Sequence, residues 1–394
     1  MVRFVADVCL VVAAIPFIYY LISLYSSWHY FAKSRAKRSH SHFTPPVSIL
    51  KPVRGLDPDA YENFASFCRQ DYPEYEILFC VDPDDAALTI IRQVMKDFPD
   101  RKVRILYGSG RIATNDKVAK LARLVSEAAH EVVVINDSDV CAEPSYLRTV
   151  VAPLLDEKVG GVTTFYVSAG DKGLLHHLQS AGMLSDFYAG ILVAWQLDGV
   201  KFALGPTIVT TRTRLAGFGG YESIENKPGD DLLVGRLIAE QGYEMVLLPY
   251  AVHTVPDYQS FRDLFLKRLR WLTVMRHMRP AGHLGLIFTQ GLAWSLVAVA
   301  ISPTVPVALG YLGAYLLLRC AMTWVIGVHG LKQHGVWSKM LLIPLWDALA
   351  FSIWMVSFTR KTIRWRGGDY YIREGSLVPV KDSAPEAIPD RVET

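Results

Sequence analysis

The chain of 394 residues has little charge, few cysteines and no internal repeat in its central part. Only 20% of its residues are charged and 51% are hydrophobic, so a purely soluble protein is disfavoured and a membrane component is expected. The net charge of +3 is too small for the broad positive surface of a nucleic-acid-binding protein, so no nucleic-acid partner is expected. The five cysteines are scattered and never spaced Cys-x-x-Cys, which argues against a disulfide framework or a zinc site and fits a reducing cytosol.

A long apolar run lies near the start of the chain, from Phe4 to about Leu24. It has roughly the 20 residues needed to cross a bilayer core, and Tyr25 and Trp28 follow as an aromatic belt. The run is too long, and its exit too bulky, for a cleaved signal peptide, so residues 1–32 are predicted to be a retained signal anchor. Basic residues between Lys33 and Arg38 then predict, by the positive-inside rule, that the following segment is cytoplasmic.

Apolar character returns in residues 284–360, which are predicted to contain three C-terminal transmembrane helices, at about Leu286 to Ser302, Val305 to Val328 and Met340 to Phe358. One helix before the middle of the chain and three after it would leave residues 361–394, a basic and then flexible tail, on the opposite side of the membrane. The basic cluster of that tail favours the cytoplasm instead, so the helix count stays open. Arg319 and Asp347 lie inside predicted spans and are expected to pair with each other rather than touch substrate.

The middle of the chain, residues 45–283, is predicted to be an α/β domain. Short β-prone runs alternate with helical stretches; the runs are Pro46 to Pro52, Glu76 to Val81, Val103 to Tyr107 and Val132 to Ile135, and the helical stretches include Ala87 to Lys96 and Lys117 to Ala129. This alternation predicts a mostly parallel, Rossmann-like sheet covered on both faces, whose ligands bind beyond the carboxyl ends of the strands. Asp82 and the pair Asp137 and Asp139 follow directly after two of these strands.

Three acidic sites are candidates for chemistry. Asp137 and Asp139 could share a hard cation such as Mg²⁺ or Mn²⁺ that bridges a diphosphate, or they could belong to an ordinary loop or helix cap. Asp82 could contact a nucleotide, although Asp-Pro-Asp-Asp is also a common turn sequence. Asp231 begins a helix and could take a proton from an attacking hydroxyl as general base; Asp230 and Asp231 could equally be routine capping residues.

Basic residues provide the remaining candidates. Lys117 could meet a uridine or phosphate at a helix start, or it could be a solvated helix charge like Lys120. Lys267-Arg-Leu-Arg270-Trp271 lies in an apolar and basic stretch just before the predicted membrane segments. Arg270 could bind a diphosphate and Trp271 could pack at an acceptor site, or the stretch could be an interfacial helix whose cations meet lipid headgroups.

The sequences FCVDPDD, INDSDV, GDD and KRLRW occur in this order, and together they resemble the D, D, D, (Q/R)-x-x-R-W series of the ceramide glucosyltransferases, glycosyltransferase family 21. Similar matches to that family and its family 2 relatives are Asn115-Asp-Lys117, Leu204-Gly-Pro206 and Gly219-Gly-Tyr221. Each motif is short, but their order and spacing are specific, and the resemblance covers nearly the whole chain.

The resemblance implies a GT-A fold, a UDP-sugar donor, a divalent metal and inversion at the anomeric carbon. Carried onto matching positions, it implies that Asp82 binds the nucleotide, Asp137 and Asp139 bind metal and diphosphate, and Asp231 is the base. Arg270 and Trp271 complete the donor and acceptor site in the same pattern. Two positions depart from it: Lys267 replaces Gln or Arg and lacks the bidentate fork of Arg, and Asp139 stands where the animal enzymes tend to have Gly.

The expected activity is transfer of a hexose, first of all glucose from UDP-glucose, to a membrane lipid, first of all ceramide, giving a β-linked glycolipid. Alternative activities are transfer of N-acetylglucosamine to a hopanoid, transfer to another lipid such as a polyprenyl phosphate, and polysaccharide synthesis, which so few spans disfavour. A non-catalytic scaffold that binds nucleotide sugars is disfavoured because binding alone needs no base such as Asp231. The mostly apolar segment from Met183 to Gly205 is either an interfacial lipid entrance or a buried helix and loop.

Overall fold

The computed structural model describes residues 2–36, 43–111, 113–168, 173–255, 260–302, 304–365 and 368–380. Two consecutive helices come first, α1 (Val2–Ala13) and α2 (Ile15–Ala36). They form one apolar helical stretch, Phe4–Ser34, which at about 1.5 Å per residue is long enough to cross a bilayer core. The apolar N-terminal helix expected from the sequence is therefore present. Lys37 and Arg38 of the basic cluster lie outside the described residues.

An eight-stranded sheet forms the centre of the α/β domain. Its strands are β1 (Val47–Pro52), β2 (Tyr75–Val81), β3 (Lys102–Tyr107), β4 (Val132–Ile135), β5 (Val140–Cys141), β6 (Val159–Ser168), β7 (Ile208–Thr211) and β8 (Glu244–Thr254), in the spatial order β3-β2-β1-β4-β7-β6-β8-β5. Strands β3, β2, β1 and β4 run parallel, as do β6 and β8. Antiparallel pairing joins β7 to β4 and β6, and β5 to β8. The four strands predicted from the sequence are β1 to β4, and the mostly parallel sheet is confirmed.

Helices cover both faces of this sheet. The helices of the α/β domain are α3 (Ala60–Cys68), α4 (Ala87–Asp97), α5 (Asp116–Glu127), α6 (Tyr146–Val151), α7 (Leu174–Gly182), α8 (Tyr188–Asp198), α9 (Arg212–Ala216), α10 (Asp230–Glu240) and α11 (Phe261–Met278), the last of which packs beside α7 and α16. Successive residues of a strand point to opposite faces. In β1, accordingly, Ile49 belongs to a core cluster with Phe64 of α3, whereas Leu50 belongs to a second cluster with Leu121 of α5. Two hydrophobic layers therefore hold the parallel strands in place.

The segment from Met183 to Gly205 folds as a π-helical turn, Met183–Phe187, followed by α8. The first half of α8 is buried and packs against α2, and the hydroxyl of Tyr188 contacts the backbone of Tyr166 in β6. Helix α8 therefore lies between the N-terminal apolar helix and the sheet. Of the two interpretations of this segment, the buried helix and loop matches the structure.

The C-terminal part contains α12 (Pro280–Gly285), α13 (Gly291–Ile301), α14 (Val305–Trp324), α15 (Val336–Met340) and α16 (Ile343–Ser357). A π-helical turn extends α14 to Gly330, and this 26-residue stretch is long and apolar enough to cross a membrane. Residues Pro280–Thr289 and Gly291–Ile301 meet the same criteria only as a pair, bent by 49°. Two helices of the described chain, or three if the bent pair is one span, are thus long and apolar enough.

The predicted third C-terminal span, Met340 to Phe358, contains a helix that is short for a membrane crossing. It contains α16, whose 15 residues fall short of the roughly 20 that a span requires. Near its start, the ring of Trp346 fills the space left by the absent side chain of Gly182 in α7. At its end, the backbone oxygen of Ser357 accepts a hydrogen bond from Arg276 of α11. The side of α16 that carries Trp346 is thus covered by the α/β domain, whereas Leu345 and Met355 are exposed.

Arg319 of α14 and Asp347 of α16 are both buried and form a two-point ion pair. The Nε atom of Arg319 donates to Oδ2 of Asp347 at 3.0 Å, and a second guanidinium nitrogen contacts Oδ1. The hydroxyl of Tyr315 donates to the same carboxylate at 2.8 Å. The predicted pairing of these two charges is confirmed, and it joins α14 to α16.

The residues after α16 return to the α/β domain. A three-stranded antiparallel sheet is formed by β9 (Thr362–Trp365), β10 (Gly368–Arg373) and β11 (Ser376–Pro379). The amide of Leu377 donates to the carbonyl of Asn226 at 2.7 Å, and Val274 of α11 packs against the apolar side of the small sheet. Residues 362–365 and 368–379 of the tail, which was predicted to be basic and then flexible, thus form strands and a connecting turn. Because the tail sheet contacts the α/β domain, the two lie on the same side of any membrane that the helices cross, contrary to the count of three spans.

Candidate active site

The first group of candidate residues lies at one edge of the sheet, as expected. Strands β2, β1 and β4 are parallel neighbours, so their carboxyl ends share this edge. Asp82 comes directly after β2, and Asp137 follows β4 after one intervening residue, Asn136. Asn136 is buried and its amide nitrogen donates to the hydroxyl of Tyr146 at 2.7 Å and to the carbonyl of Pro206 at 2.8 Å. This bonding fixes the backbone from which Asp137 projects.

Asp82 is anchored by a buried lysine. The Nζ atom of Lys120, in α5, lies 2.8 Å from Oδ2 of Asp82 and 3.3 Å from Asp116, and it also donates to the carbonyl of Val53 at 3.0 Å. The side chain of Lys120 is 1% exposed, so it is not a solvated helix charge. The carboxylate of Asp82 is partly exposed and is held by the ion pair with Lys120. Its nucleotide-binding role stays a prediction.

Lys117 lies between two carboxylates. Its Nζ atom is 2.7 Å from Oδ1 of Asp137 and 3.1 Å from Oδ2 of Asp230. Burial opposes the charge of this lysine, but the carboxylates of Asp137, Asp230 and Asp231 outweigh burial and raise the pKa of Lys117 above its usual range. Helix α5 begins at this point because the side chain of Asn115 caps it, accepting from the amide of Val118. Lys117 is therefore a permanent cation inside an acidic cluster.

Asp231 lies in the first turn of α10. Its Oδ2 accepts from the amide of Gly205 at 3.0 Å, and its Oδ1 accepts from the amide of Leu232 at 2.8 Å. Burial, followed by the negative charge of Asp230, raises the pKa of Asp231 to about 6. A carboxylate with a pKa just below neutrality is ionised at pH 7 and still basic enough to accept a proton from a hydroxyl group in a reaction.

Gly205 brings the two key carboxylates close together. A Cβ atom on this residue would lie 3.2 Å from Oδ2 of Asp137 and 3.3 Å from Oδ2 of Asp231, both tighter than ordinary contacts. The absence of a side chain thus leaves a narrow space between a candidate metal ligand and the candidate base. Sequence analysis noted Gly205 only within the Leu-Gly-Pro motif and gave it no place in the site.

Asp139 shares its surroundings with two lysines. Burial and the negative charge of Asp137 raise the pKa of Asp139 to about 7, against the opposing effects of Lys267 and Lys51. Lys51 is fully buried at the end of β1, and its Nζ donates to the backbone carbonyl of Asp137 at 3.1 Å while lying 3.7 Å from the centre of the Phe67 ring. Burial lowers the pKa of Lys51 to about 7. Lys51 was missed from the sequence because it appeared as part of a strand.

The donor set fits a divalent cation bound together with a substrate. No group of three or more His, Cys, Asp or Glu side chains that could hold a metal occurs among the described residues. Asp137 and Asp139 nevertheless supply hard oxygen ligands, and their mutual repulsion is what a cation would relieve. Mg²⁺ commonly binds through one or two carboxylates and completes its shell with water and substrate phosphates. Metal binding by these two residues stays a prediction.

Helix α11 carries the remaining predicted residues on one face, because Lys267, Arg270 and Trp271 are spaced by three and four positions. Lys267 acts electrostatically on Asp139, which places it beside the acidic cluster. The guanidinium of Arg270 lies 5.4 Å from the centre of the Trp365 ring in β9. The ring of Trp271 lies 5.9 Å from that of Phe187. Helix α11 thus contacts β9 through Arg270 and the segment before α8 through Trp271.

The neighbouring Arg268 was not predicted. Its guanidinium is buried 4.7 Å from the ring of Trp271 and 4.9 Å from that of Trp346. One of its nitrogens lies 3.0 Å from the sulfur of Met183. Arg268 therefore fixes the rotation of α11, and with it the direction in which Trp271 points.

The family model described as glycosyl transferase family 21 matches residues 8–378, nearly the whole chain. The chain belongs to glycosyltransferase family 21. Ceramide glucosyltransferase 1 of Caenorhabditis elegans is 22% identical over 395 residues, covering 94% of this chain and 81% of that relative. The ceramide glucosyltransferase of Komagataella phaffii is 28% identical over 332 residues, covering 68% of this chain and 65% of that relative.

Among solved structures, this family 21 enzyme is similar to the mannosyltransferase PcManGT from Pyrobaculum calidifontis in complex with GDP-Man and Mn²⁺. The TM-score is 0.54 at 18% sequence identity, and the match covers 85% of this chain and 99% of that chain. A likeness at this level concerns the fold, and it confirms the GT-A architecture expected from the sequence.

The structure of this glycosyltransferase thus brings Asp137, Asp230, Asp231 and Lys117 into one cluster around Gly205. Asp139 interacts electrostatically with Asp137 of this cluster and with Lys267. Asp82 is bound by Lys120, which lies in the same helix, α5, as Lys117. Arg270 and Trp271 lie on the same face of α11 as Lys267. The roles of these residues stay predictions. The residues that sequence analysis missed, Lys51, Gly205 and Arg268, all act by holding or spacing the predicted ones.

Proposed function

We propose that this family 21 glycosyltransferase transfers a hexose from a UDP-sugar, in the first instance UDP-glucose, to the primary hydroxyl of ceramide. The acceptor oxygen attacks the anomeric carbon, the bond from that carbon to the UDP oxygen breaks, and UDP leaves with the bonding electrons. A single displacement of this kind inverts the anomeric configuration and gives a β-linked glycolipid. The names of the similar ceramide glucosyltransferases support the choice of lipid and sugar.

Asp231 is the residue on which this proposal rests. Its carboxylate is oriented by two backbone amides, and its pKa is raised to about 6 mainly by burial. These features suit a group that takes the proton of the acceptor hydroxyl as the new bond forms. Asp230, by contrast, is engaged with Lys117, so the two adjacent acids have different tasks.

On the donor side, Asp82 is assigned to the nucleotide, and Lys117 and Arg270 to the diphosphate. Arginine suits this task because its planar fork can hold two phosphate oxygens at once. Asp137 and Asp139 are the residues that would hold Mg²⁺ or Mn²⁺, which when bound supplies positive charge to the departing diphosphate. Lys267, close to Asp139, adds a second cation of the chain's own.

On the acceptor side, Trp271 and the aromatic residue beside it, Phe187, offer an apolar wall on the side of the site nearest to the helices. We assign residues 45–283 to a GT-A domain that faces the cytoplasm. Residues 1–32 and 284–360 form its membrane part, with the short helix α16 not counted as a crossing. A lipid acceptor suits this arrangement because the domain packs directly on apolar helices such as α2 and α14.

The first experiment identifies the product. Purified full-length protein in lipid nanodiscs is incubated with UDP-glucose, UDP-galactose or UDP-N-acetylglucosamine, each with ceramide or a hopanoid, with and without Mn²⁺. Glucosylceramide, identified by mass and by the β-anomeric proton coupling in NMR, is expected. A glycosylated hopanoid with no ceramide product would replace the proposed acceptor, and an α-linked product would contradict inversion. Failure to release UDP with any lipid would instead support a non-catalytic scaffold.

The second experiment tests Asp231. Asp231→Asn keeps an oxygen for the amide contacts but cannot accept the proton, so kcat should fall by roughly 10²- to 10⁴-fold while UDP-sugar binding is retained. The adjacent Asp230→Asn is the matched control, and it should impair donor binding more than proton transfer. In the wild type, kcat/KM should fall about tenfold per pH unit below about pH 6 and be level just above it. Unchanged turnover of Asp231→Asn would remove Asp231 from the mechanism.

A further inference from the structure

The tail sheet, β9 to β11, packs against the helix that carries the predicted donor-binding arginine. Its apolar side consists of Ile363, Tyr370, Ile372 and Leu377, and Val274 of α11 packs against this cluster. Val274 lies one turn after Arg270 on the same face of α11. The sheet therefore covers the face of α11 from which Arg270 projects.

Trp365 gives Arg270 a flat surface to lie on. The guanidinium carbon of Arg270 is 5.4 Å from the centre of the indole ring, within the range of a cation–π contact. Trp365 is the last residue of β9 and is paired with Gly368 across the antiparallel ladder. Because the ladder fixes its backbone, Trp365 limits the directions in which Arg270 can point. A long arginine side chain otherwise loses considerable conformational freedom when it binds a ligand.

The tail sheet also supports the loop that leads to the candidate base. The amide of Leu377 donates to the carbonyl of Asn226 at 2.7 Å, while the Asn226 side-chain oxygen accepts from the amide of Thr114 at 3.1 Å. The backbone carbonyl of the next residue, Lys227, accepts from the side-chain nitrogen of Asn115 at 3.1 Å. The loop therefore lies between β11 and the start of α5 just before Asp231. The tail sheet thus contacts both Arg270, the predicted donor-binding residue, and the loop that precedes Asp231, the candidate base.

We propose that Trp365 is a positioning residue for donor binding, acting through Arg270, and that the tail sheet is thereby part of the functional site. The proposal rests on the proposed function insofar as Arg270 contacts the diphosphate of the nucleotide sugar. Trp365 itself need not touch the donor. It holds the guanidinium in the orientation that two phosphate oxygens require, which lowers the entropic cost of binding.

The test compares Trp365→Leu, which keeps apolar bulk but removes the aromatic face, with Trp365→Phe, which keeps an aromatic face. Trp365→Leu should raise the KM for the UDP-sugar about 3- to 10-fold with kcat changed less than 2-fold, and Trp365→Phe should recover most of the difference. Tyr371→Ala is the matched control, because its ring lies 5.2 Å from Arg373 within the same sheet and away from α11. It should leave the KM for the donor unchanged.

A double-mutant cycle on UDP affinity separates positioning from folding. The dissociation constant of UDP is measured by calorimetry for Trp365→Leu in the wild-type background and in the Arg270→Gln background. Loss of affinity only when Arg270 is present supports the proposal. An equal loss in both backgrounds assigns Trp365 a general structural role, and no loss in either shows that Arg270 needs no platform. Calorimetry measures UDP affinity without product formation, so these results do not depend on the product assay. Failure of the product assay would contradict the proposed function and not the role of Trp365.

Discussion

Replacing Lys117 by methionine should move the pH dependence of transfer to higher pH. The Nζ atom of Lys117 is 2.7 Å from Asp137 and 3.1 Å from Asp230, and its charge also lowers the pKa of Asp231. Methionine keeps most of the side-chain length and removes the charge. The acidic cluster then holds its negative charge less readily, and the pKa of Asp231 must rise from about 6.

The size of the effect follows from Coulomb's law. At an effective dielectric constant of about 20, a unit charge about 4 Å away contributes about 4 kcal/mol and one about twice as far away about 2 kcal/mol, and the smaller figure corresponds to between 1 and 2 pH units. The acid limb of kcat/KM should therefore move up by at least about one unit, so that the variant loses activity at pH 7 and regains part of it at pH 8 to 9. A base must be ionised to act, which fixes this direction.

Stability should change with pH in a matching way. A carboxyl group whose pKa is higher in the folded than in the unfolded protein favours folding at low pH, and this advantage disappears as pH rises through the folded pKa. The deficit in the free energy of unfolding of Lys117→Met relative to wild type should thus grow between pH 5 and pH 8. It should reach about 3 kcal/mol or more, because buried carboxylates lose their partner.

The assay is a pH–rate profile at saturating donor, accompanied by thermal unfolding across the same pH range. Lys117→Arg is the control, since it keeps the cation and should leave the acid limb within a few tenths of a unit of the wild-type position. If the acid limb of the pH profile is unchanged in Lys117→Met, the charge of Lys117 does not affect the pKa of Asp231. In that case either the electrostatic account or the choice of base is mistaken.

Two further changes test the spacing of the site and the joint between the helices. Gly205→Ala should lower kcat about tenfold or more, because the new Cβ pushes apart two carboxylates that it would approach to 3.2 and 3.3 Å; Gly285→Ala, which meets no atom within 4 Å, should leave steady-state turnover unchanged. Asp347→Asn should lower the free energy of unfolding of detergent-solubilised protein by about 3 kcal/mol or more. The double variant Asp347→Leu, Arg319→Met should recover much of this loss. If the single and double variants lose the same stability, the buried ion pair is contradicted.

Local sequence patterns predicted the parallel half of the sheet and the position of the acids at its edge. The run from Glu76 to Val81 is β-prone and ends at Asp82, so both the strand and the place of the carboxylate follow from neighbouring residues. Strands β6 and β8 escaped prediction because they contain Gly160-Gly161 and Pro249, and because their pairing joins residues far apart in the chain. Such pairing depends on the fold as a whole.

The internal contacts of the site could not be predicted from neighbouring residues. Lys117 meets Asp230 only because α5 and α10 approach each other, and Lys51 is hidden under the loop that carries Asp137. In the tail, Ile363 and Trp365, and Tyr370 and Ile372, alternate with polar residues as in a strand. The basic residues around them were interpreted only as a marker of membrane orientation. The apolar run from Met340 to Phe358 predicted a membrane span, but composition alone does not show that the helix within it, α16, has only 15 residues.

The return of the tail to the α/β domain has a consequence for biosynthesis. Asn226 and Arg270 are translated before the apolar helices α13 and α14, whereas Leu377 and Trp365, which contact them, are translated afterwards. At a usual rate of about 5 to 20 residues per second, the ribosome adds these partners several seconds after the sheet is complete. A nascent or truncated chain that ends before α13 would carry every predicted catalytic and binding residue and still lack the contacts that hold Arg270 and the loop at Asn226. Completion of the site is thereby tied to synthesis of the C-terminal helices and the tail sheet, and sugar transfer should begin only once these segments have been made.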